Sequence, residues 1–259
     1  MFIDTHVHLD FDPLSRDPEL YIMRAQDADV LQMINVGSNL KGSRNSVALA
    51  GKHDCIHATV GIHPHDANTV ADDALAELRS LAQNKKVLAI GEIGLDYFKM
   101  RTPKEVQIKG FKTQLDLARE CKLPVVVHTR GADSDILKIL DEYSDLKCVI
   151  HFFSSTYDMS RELLDMGHYL SFTGVITFSR KSGPTPDELE RAKVIRDVPL
   201  DRMMIETDSP FAAPEPFRGR PCEPAYVVEV ARKISEIRGI SIDEVAEATT
   251  ANCRQFFSL

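Results

Sequence analysis

Histidines and carboxylates recur in this chain at one kind of place, where a short apolar run stops. FIDTHVHLD presents His6 and His8, GIHPHD presents His63 and His65, and VLAIGEIG carries Glu92. PVVVHTR carries His128, CVIHFF carries His151 and MMIETDSP carries Asp208. Residues two apart on a strand project to the same side, so His6 and His8 can face one point. With His63 and His65 set aside, four imidazoles and two carboxylates end five separate runs. Mixed nitrogen and oxygen donors of this kind suit a divalent cation. Each has a plainer reading when taken singly. An HxH pair occurs without metal, His128 after three valines fits a satisfied core histidine, and Asp208 before Ser209-Pro210 fits a helix cap. Their recurrence at the same end of independent runs favours the metal site. His63 and His65 lie on the loop beyond their run and read as substrate contacts in preference to ligands, because a charged or donor imidazole suits a phosphate. His53 in a polar loop, His57 early in its run and His168 after Gly167 need no function.

These residues can meet only if the elements carrying them bring the run ends to one side. Helical periodicity is expected over 20–28, 39–52, 72–83, 104–120, 133–143, 157–166, 186–194, 224–238 and 241–257, alternating with the apolar runs up to the eighth. Ser241, with Glu244 three residues on, is the expected cap of the last helix. Eight runs in strict alternation with helices predict the α/β class, a (β/α)8 TIM barrel with two additional C-terminal helices. In such a barrel the chemistry sits at the carboxyl ends of the strands. The length of 259 residues, without a linker rich in glycine, serine or proline, predicts a single domain over 1–259. The proline-rich SPFAAPEPFRGRPCEP after the eighth run reads as an ordered active-site loop.

A net charge of −8 argues against a protein that coats duplex nucleic acid, which needs many basic groups to displace counterions. It leaves open a pocket that holds one phosphate with metal ions and a few basic groups. Five scattered cysteines without a CxxC pair read as reduced thiols and not as a disulfide framework. Asp4 interrupts the first apolar run, and no stretch is long and apolar enough for a leader or a membrane span. A cytoplasmic location without membrane contact is therefore expected; oligomeric state is left open.

FIDTHVHLD, VGIHPHD, IGEIGLDY, the stretch from Gln107 through FKTQLDLA to PVVVHTRGA, VIHFFSS, FTGVITF and MMIETDSPF occur in this order over nearly the whole length. In this the chain resembles the TatD-type metal-dependent hydrolases of the amidohydrolase-like superfamily. The resemblance implies two divalent cations per chain, drawn from Mg, Mn, Zn, Ni or Co. By motif position His6, His8 and Asp208 hold one, His128 and His151 hold the other, and Glu92 bridges them, an arrangement that places the ions about 3.5–4 Å apart. It also implies that Asp208 orients a water and takes its proton. His63, His65 and Arg130 are implied to hold the scissile phosphate, and Asp10 and Asp96 to fix the orientation of the ligands from behind. The implied reaction is hydrolysis of phosphodiester bonds at short single-stranded DNA ends, as a 3′ to 5′ exonuclease. Arg180, Lys181, Arg218 and Arg220 offer a small basic rim.

Phe152 and Ser155 replace the usual Cys and Gly of the family's HCFSG, Ser179 stands where a lysine often does, and Cys222 stands where an asparagine often does. These departures leave the ligands in place and bear on substrate choice. One rival reading is an amidohydrolase that opens a cyclic amide or lactone. Its sites often use a carboxylated lysine as the bridge, and Glu92 occupies that position here. Another is a metal-binding protein without activity, which retention of all six ligand positions argues against.

Overall fold

The apolar runs form β1 (Phe2–Val7), β2 (Val30–Val36), β3 (Ile56–Val60), β4 (Val87–Asp96), β5 (Val125–Arg130), β6 (Cys148–Ile150), β7 (Tyr169–Phe172) and β8 (Met203–Ile205) in a computed structural model that describes residues 1–179 and 183–259. The strands follow one another in a single sheet in the order β1 to β8. Between them run α1 (Pro18–Asp27), α2 (Leu40–Lys52), α3 (Asp72–Leu81), α4 (Lys104–Cys121), α5 (Asp133–Glu142), α6 (Tyr157–Asp165) and α7 (Pro186–Asp197); α8 (Val227–Arg238) and α9 (Ile242–Phe257) come after β8. This is the (β/α)8 barrel class, with α8 and α9 as the two C-terminal helices. Among the described residues no helix is long and apolar enough to cross a membrane.

Local chemistry explains where the helices begin. The Asn39 side chain accepts from the Gly42 N–H at 2.9 Å and starts α2. Ser241 and Glu244 form the reciprocal capping box expected from the sequence, and Thr185 and Glu188 form a second one that starts α7. The eighth helix begins at Val227 and not at 224 because Pro224–Tyr226 form a short 3-10 turn first.

The residues fall into two compact units. The first comprises Met1–Met33, Phe152–Asp165 and Tyr169–Leu259. Here β7 pairs in parallel with β8, with Leu170, Ser171 and Phe172 opposite Met203, Met204 and Ile205. β1 is tied to the end of β8: the Thr5 hydroxyl donates to Ile205 O at 3.0 Å, Asp208 N–H to His6 O at 2.9 Å, and His8 N–H to Ser209 O at 2.8 Å. These bonds set His6, His8 and Asp208 side by side before any side chain is considered. The segment after β8 packs directly on Gly174, where an added Cβ would stand 2.2 Å from Ala212 O.

The second unit comprises Ile34–His151 and Met166–His168. β3, β4, β5 and β6 pair in parallel through it, with Gly94 opposite His128 and Asp96 opposite Arg130. Glu92 was expected to end its strand; instead β4 runs on to Asp96. The register against β5 shifts between Ile90 and Ile93, and pairing resumes beyond it. It can resume because Gly94 has no side chain: a Cβ there would lie 2.0 Å from His128 O. One strand thus carries both Glu92 and Asp96. Ile90, Ile93, Val127 and Ile150 beneath them are fully buried, each contributing roughly 1.5–3 kcal/mol.

Candidate metal centres

In the first unit His6 and His8 approach each other Nε2 to Nε2 at 3.2 Å, and both face Asp208 Oδ1, at 3.7 and 3.5 Å. All three side chains are nearly or wholly buried. Donors at about 2.1 Å from one ion are separated from each other by about 3.0–3.4 Å, so this spacing fits a cation. The backing is polar and specific. Asp4, fully buried, accepts from the Thr207 hydroxyl at 2.6 Å, from Thr207 N–H at 2.9 Å and from His6 N–H at 3.3 Å. Burial pushes the Asp4 carboxyl well above its usual range, against the lowering effect of the Thr207 bonds. Asp4 therefore fastens the strand that carries His6 to the residue before Asp208.

In the second unit three imidazoles surround one carboxylate oxygen. Glu92 Oε1 lies 2.7 Å from His128 Nδ1, 3.1 Å from His151 Nε2 and 3.6 Å from His63 Nε2. Burial pushes the Glu92 carboxyl up, but the imidazoles of His151, His63 and His128 outweigh it and hold the group well below its usual range. Burial pulls the His128 imidazole down, but Asp96 and Glu92 on either side more than reverse this and raise it. The carboxylates thus make this a place that favours positive charge. Although they lie 2.7 and 3.4 Å away, neither His128 nitrogen makes a directed N–H···O hydrogen bond to them. Such nitrogens suit a cation better than a proton, and the donor set fits a divalent ion.

His63 differs from its neighbours. Its Nδ1 accepts the backbone N–H of His65 at 3.1 Å, and burial lowers the ring to about 3 despite Glu92 nearby. The neutral ring therefore carries its proton on Nε2 and presents a donor there, which leaves no lone pair on that nitrogen for a metal. His65 Nε2 meets Asp96 Oδ2 at 2.9 Å, and Asp96 Oδ1 accepts the N–H groups of Phe98 and Lys99, each at 3.0 Å. Burial opposes ionisation of Asp96, and the His128 imidazole 3.4 Å away and these backbone bonds overcome it, lowering the carboxyl strongly. Asp96 thus orients both His65 and His128.

Two glutamines on α4 hold this unit's loops, and sequence reading passed over both. Gln114 accepts from Ile62 N–H at 2.7 Å and donates to Ile62 O at 3.0 Å, gripping the chain just before His63. Gln107 accepts from Asp96 N–H at 2.8 Å and donates to Asp96 O at 3.0 Å and Thr102 O at 2.7 Å. The available signal was two glutamines seven apart on the apolar face that also carries Phe111, Leu115 and Ala118. Glu206 was also passed over. It is buried in the segment that follows β8 and accepts the Phe152 N–H at 2.6 Å. That bond holds Phe152, one of the departures, in a left-handed conformation with φ of 50°.

Asp10 lies part-exposed in the turn after β1. Arg130 is exposed at the end of β5, its guanidinium 4.0 Å from the Phe98 ring centroid. Arg218 and Arg220 are exposed on the loop after β8, while Arg180 and Lys181 lie outside the described residues. His57 and His168 are lowered to about 4 by burial, to which Lys86 adds at His57, and belong to neither cluster.

A family model described as TatD related DNase matches residues 3–258. The metal-dependent hydrolase YabD of Bacillus subtilis is 37% identical over 261 residues, covering all of both chains. The 3'-5' ssDNA/RNA exonuclease TatD of Cronobacter sakazakii is 33% identical over 98% of this chain and 97% of its own. The crystal structure of YjjV, a TatD homolog from Escherichia coli K12, superposes with a TM-score of 0.91 at 30% identity, covering 100% of this chain and 98% of that one.

Proposed function

The chain belongs to the TatD related DNase family of metal-dependent hydrolases, and on that premise we propose that it hydrolyses phosphodiester bonds at the 3′ ends of single-stranded nucleic acid, DNA foremost. The observation that carries the reading is the convergence of His6, His8 and Asp208 at 3.2 to 3.7 Å. The family's exonuclease relative supports the substrate class. Residues 1–259 act in this proposal as one catalytic domain.

His6, His8 and Asp208 would hold one divalent cation and His128 and His151 a second, with Glu92 as the carboxylate that would serve both. Bound divalent ions would supply neutralisation of phosphate charge and a water that loses its proton near neutral pH. Asp208 is the carboxylate that would orient such a water and take its proton. His63 donates its Nε2–H to a phosphate oxygen, as a neutral donor and not as a cation. Arg130 brings the positive charge. Asp96 steadies His65 through its hydrogen bond and His128 through its charge, and Asp10 backs the β1 residues. Strand ends are gripped over a few nucleotides, and the net charge of −8 disfavours stable binding along a duplex. The five free cysteines support a reducing, cytoplasmic setting.

Metal analysis coupled to a substrate panel tests this. The purified protein is expected to contain divalent metal and to cleave single-stranded DNA in a chelator-sensitive way, with RNA second and duplex DNA weakest. His128→Ala and Asp208→Ala are expected to lose both metal and at least about a hundredfold in rate. Metal-loaded protein that cleaves no phosphodiester but opens a cyclic amide or lactone overturns the proposal.

A further inference from the structure

Beside His8 the first unit carries an aromatic corner that cation binding does not account for. Phe11 N–H donates to His8 O at 3.1 Å, and the Phe11 ring stacks on the His8 imidazole with centroids 4.7 Å apart and planes at 19°. Phe211 N–H donates to Asp208 O at 2.8 Å. Its ring is steeply inclined to both others, 6.3 Å from His8 at 68° and 6.1 Å from Phe11 at 84°. Phe11 covers a buried imidazole and has that structural reason to be there. Phe211 packs on both rings yet stays 50% exposed, leaving half of a large apolar surface uncovered. It is not held out by a slack loop. Pro210 precedes it, and Ala212 O behind it packs against Gly174 so closely that a Cβ there would be at 2.2 Å. The backbone thus holds a half-exposed ring beside the His6, His8 and Asp208 cluster.

We propose that Phe211, backed by Phe11, is a stacking platform for a nucleobase of the single strand whose phosphodiester is cut. The inference rests on the phosphodiester reading above. Every base has a π-face, so a platform of this kind grips the strand without reading its sequence. The near-perpendicular packing against Phe11 fixes the ring, and its exposed half is what a base would cover.

The test uses the full-length, metal-loaded chain and a short single-stranded oligonucleotide with 2-aminopurine at its 3′ end and phosphorothioate linkages that slow cleavage. Wild type is expected to quench the 2-aminopurine on binding. Phe211→Ala is expected to lose the quenching and to bind about tenfold or more weakly, and Phe211→Trp to retain both. On an ordinary oligonucleotide Phe211→Ala lowers kcat/KM by the same factor. On one whose two 3′-terminal sugars carry no base, wild type and variant cleave at equal rates. Equal losses on both substrates, or quenching that survives in Phe211→Ala, overturn the platform and leave the nuclease reading standing. Quenching by wild type without cleavage of any phosphodiester sinks the nuclease reading alone, and neither quenching nor cleavage sinks both.

Discussion

Replacing Gly94 by alanine tests whether the second cluster depends on the close approach of β4 and β5. The new Cβ would stand 2.0 Å from His128 O and 2.9 Å from His128 C, at a residue whose φ is +146°. To restore even 3.0 Å the carbonyl must retreat by about 1 Å, which pulls apart the strands where Gly94 faces His128. Overpacking costs about 1–3 kcal/mol, the φ strain about 1–3 kcal/mol, and one lost ladder hydrogen bond about 1 kcal/mol. Taken together, roughly 3–7 kcal/mol is a large share of the 5–15 kcal/mol typical of a whole protein. At about 2–4 °C per kcal/mol for a chain approaching this size, the melting temperature should fall by roughly 10–20 °C. The assay is thermal and urea unfolding followed by metal analysis, with Gly51→Ala as control. Gly51 has nothing within 4 Å of an added Cβ, so that change should be neutral or slightly stabilising. If Gly94→Ala melts with wild type and binds the same metal, the close approach does not set the second cluster.

Gln114→Ala leaves the buried N–H and C=O of Ile62 without their partner and should cost about 2–4 kcal/mol; substrate KM should rise as His63 loosens, and an unchanged melting curve would refute the role. Divalent metal at about 100 times its Kd should add about 2.7 kcal/mol to the unfolding free energy, an increment absent with chelator and reduced in His6→Ala and in His128→Ala, read by melting in either buffer. His168 is buried and lowered by that burial to about 4 from an ordinary 6.5. The folded state therefore binds fewer protons than the unfolded one, so this stability is complete above pH 6.5 and is lost as pH falls toward 4. The loss should be about 2 kcal/mol at pH 5. His168→Gln should remove about that much of the acid-side slope in urea midpoints, and an identical slope would refute it.

The candidate ligand set could be picked out of the sequence for a physical reason. A barrel offers its strand ends to solvent at one rim, so a donor that stops an apolar run, such as His6, His128 or Asp208, advertises its place in one dimension. The alternation of runs and helices was legible on the same ground, because each element must bury one face. What stayed hidden depends on pairing across long stretches of chain. Asp4 reads as an interruption of an apolar run until Thr207 is found hydrogen-bonded to it. Gln107 and Gln114 look like polar faults on the buried side of α4 until Asp96 and Ile62 are found in their grip.

The end of β4 shows most clearly why pattern alone falls short. An apolar run followed by Glu reads as a strand stopping at Glu92, since a carboxylate inside a strand is costly to bury. The strand continues because the cost is met locally: three imidazoles lie within 3.6 Å of Glu92 Oε1, and Gly94 lets β5 come close again. A donor can therefore sit within a strand when its neighbours on adjoining strands are donors too. The same reasoning separates His63 from the candidate ligands around it. Sequence reads it as a substrate contact in preference to a ligand, and the N–H of His65 on its Nδ1 supports this by fixing the proton on Nε2. His63→Gln, which keeps an N–H donor, should therefore retain most activity where His63→Ala loses about tenfold or more, with metal content equal in both. Loss of a metal ion in either variant would show that His63 is a ligand after all.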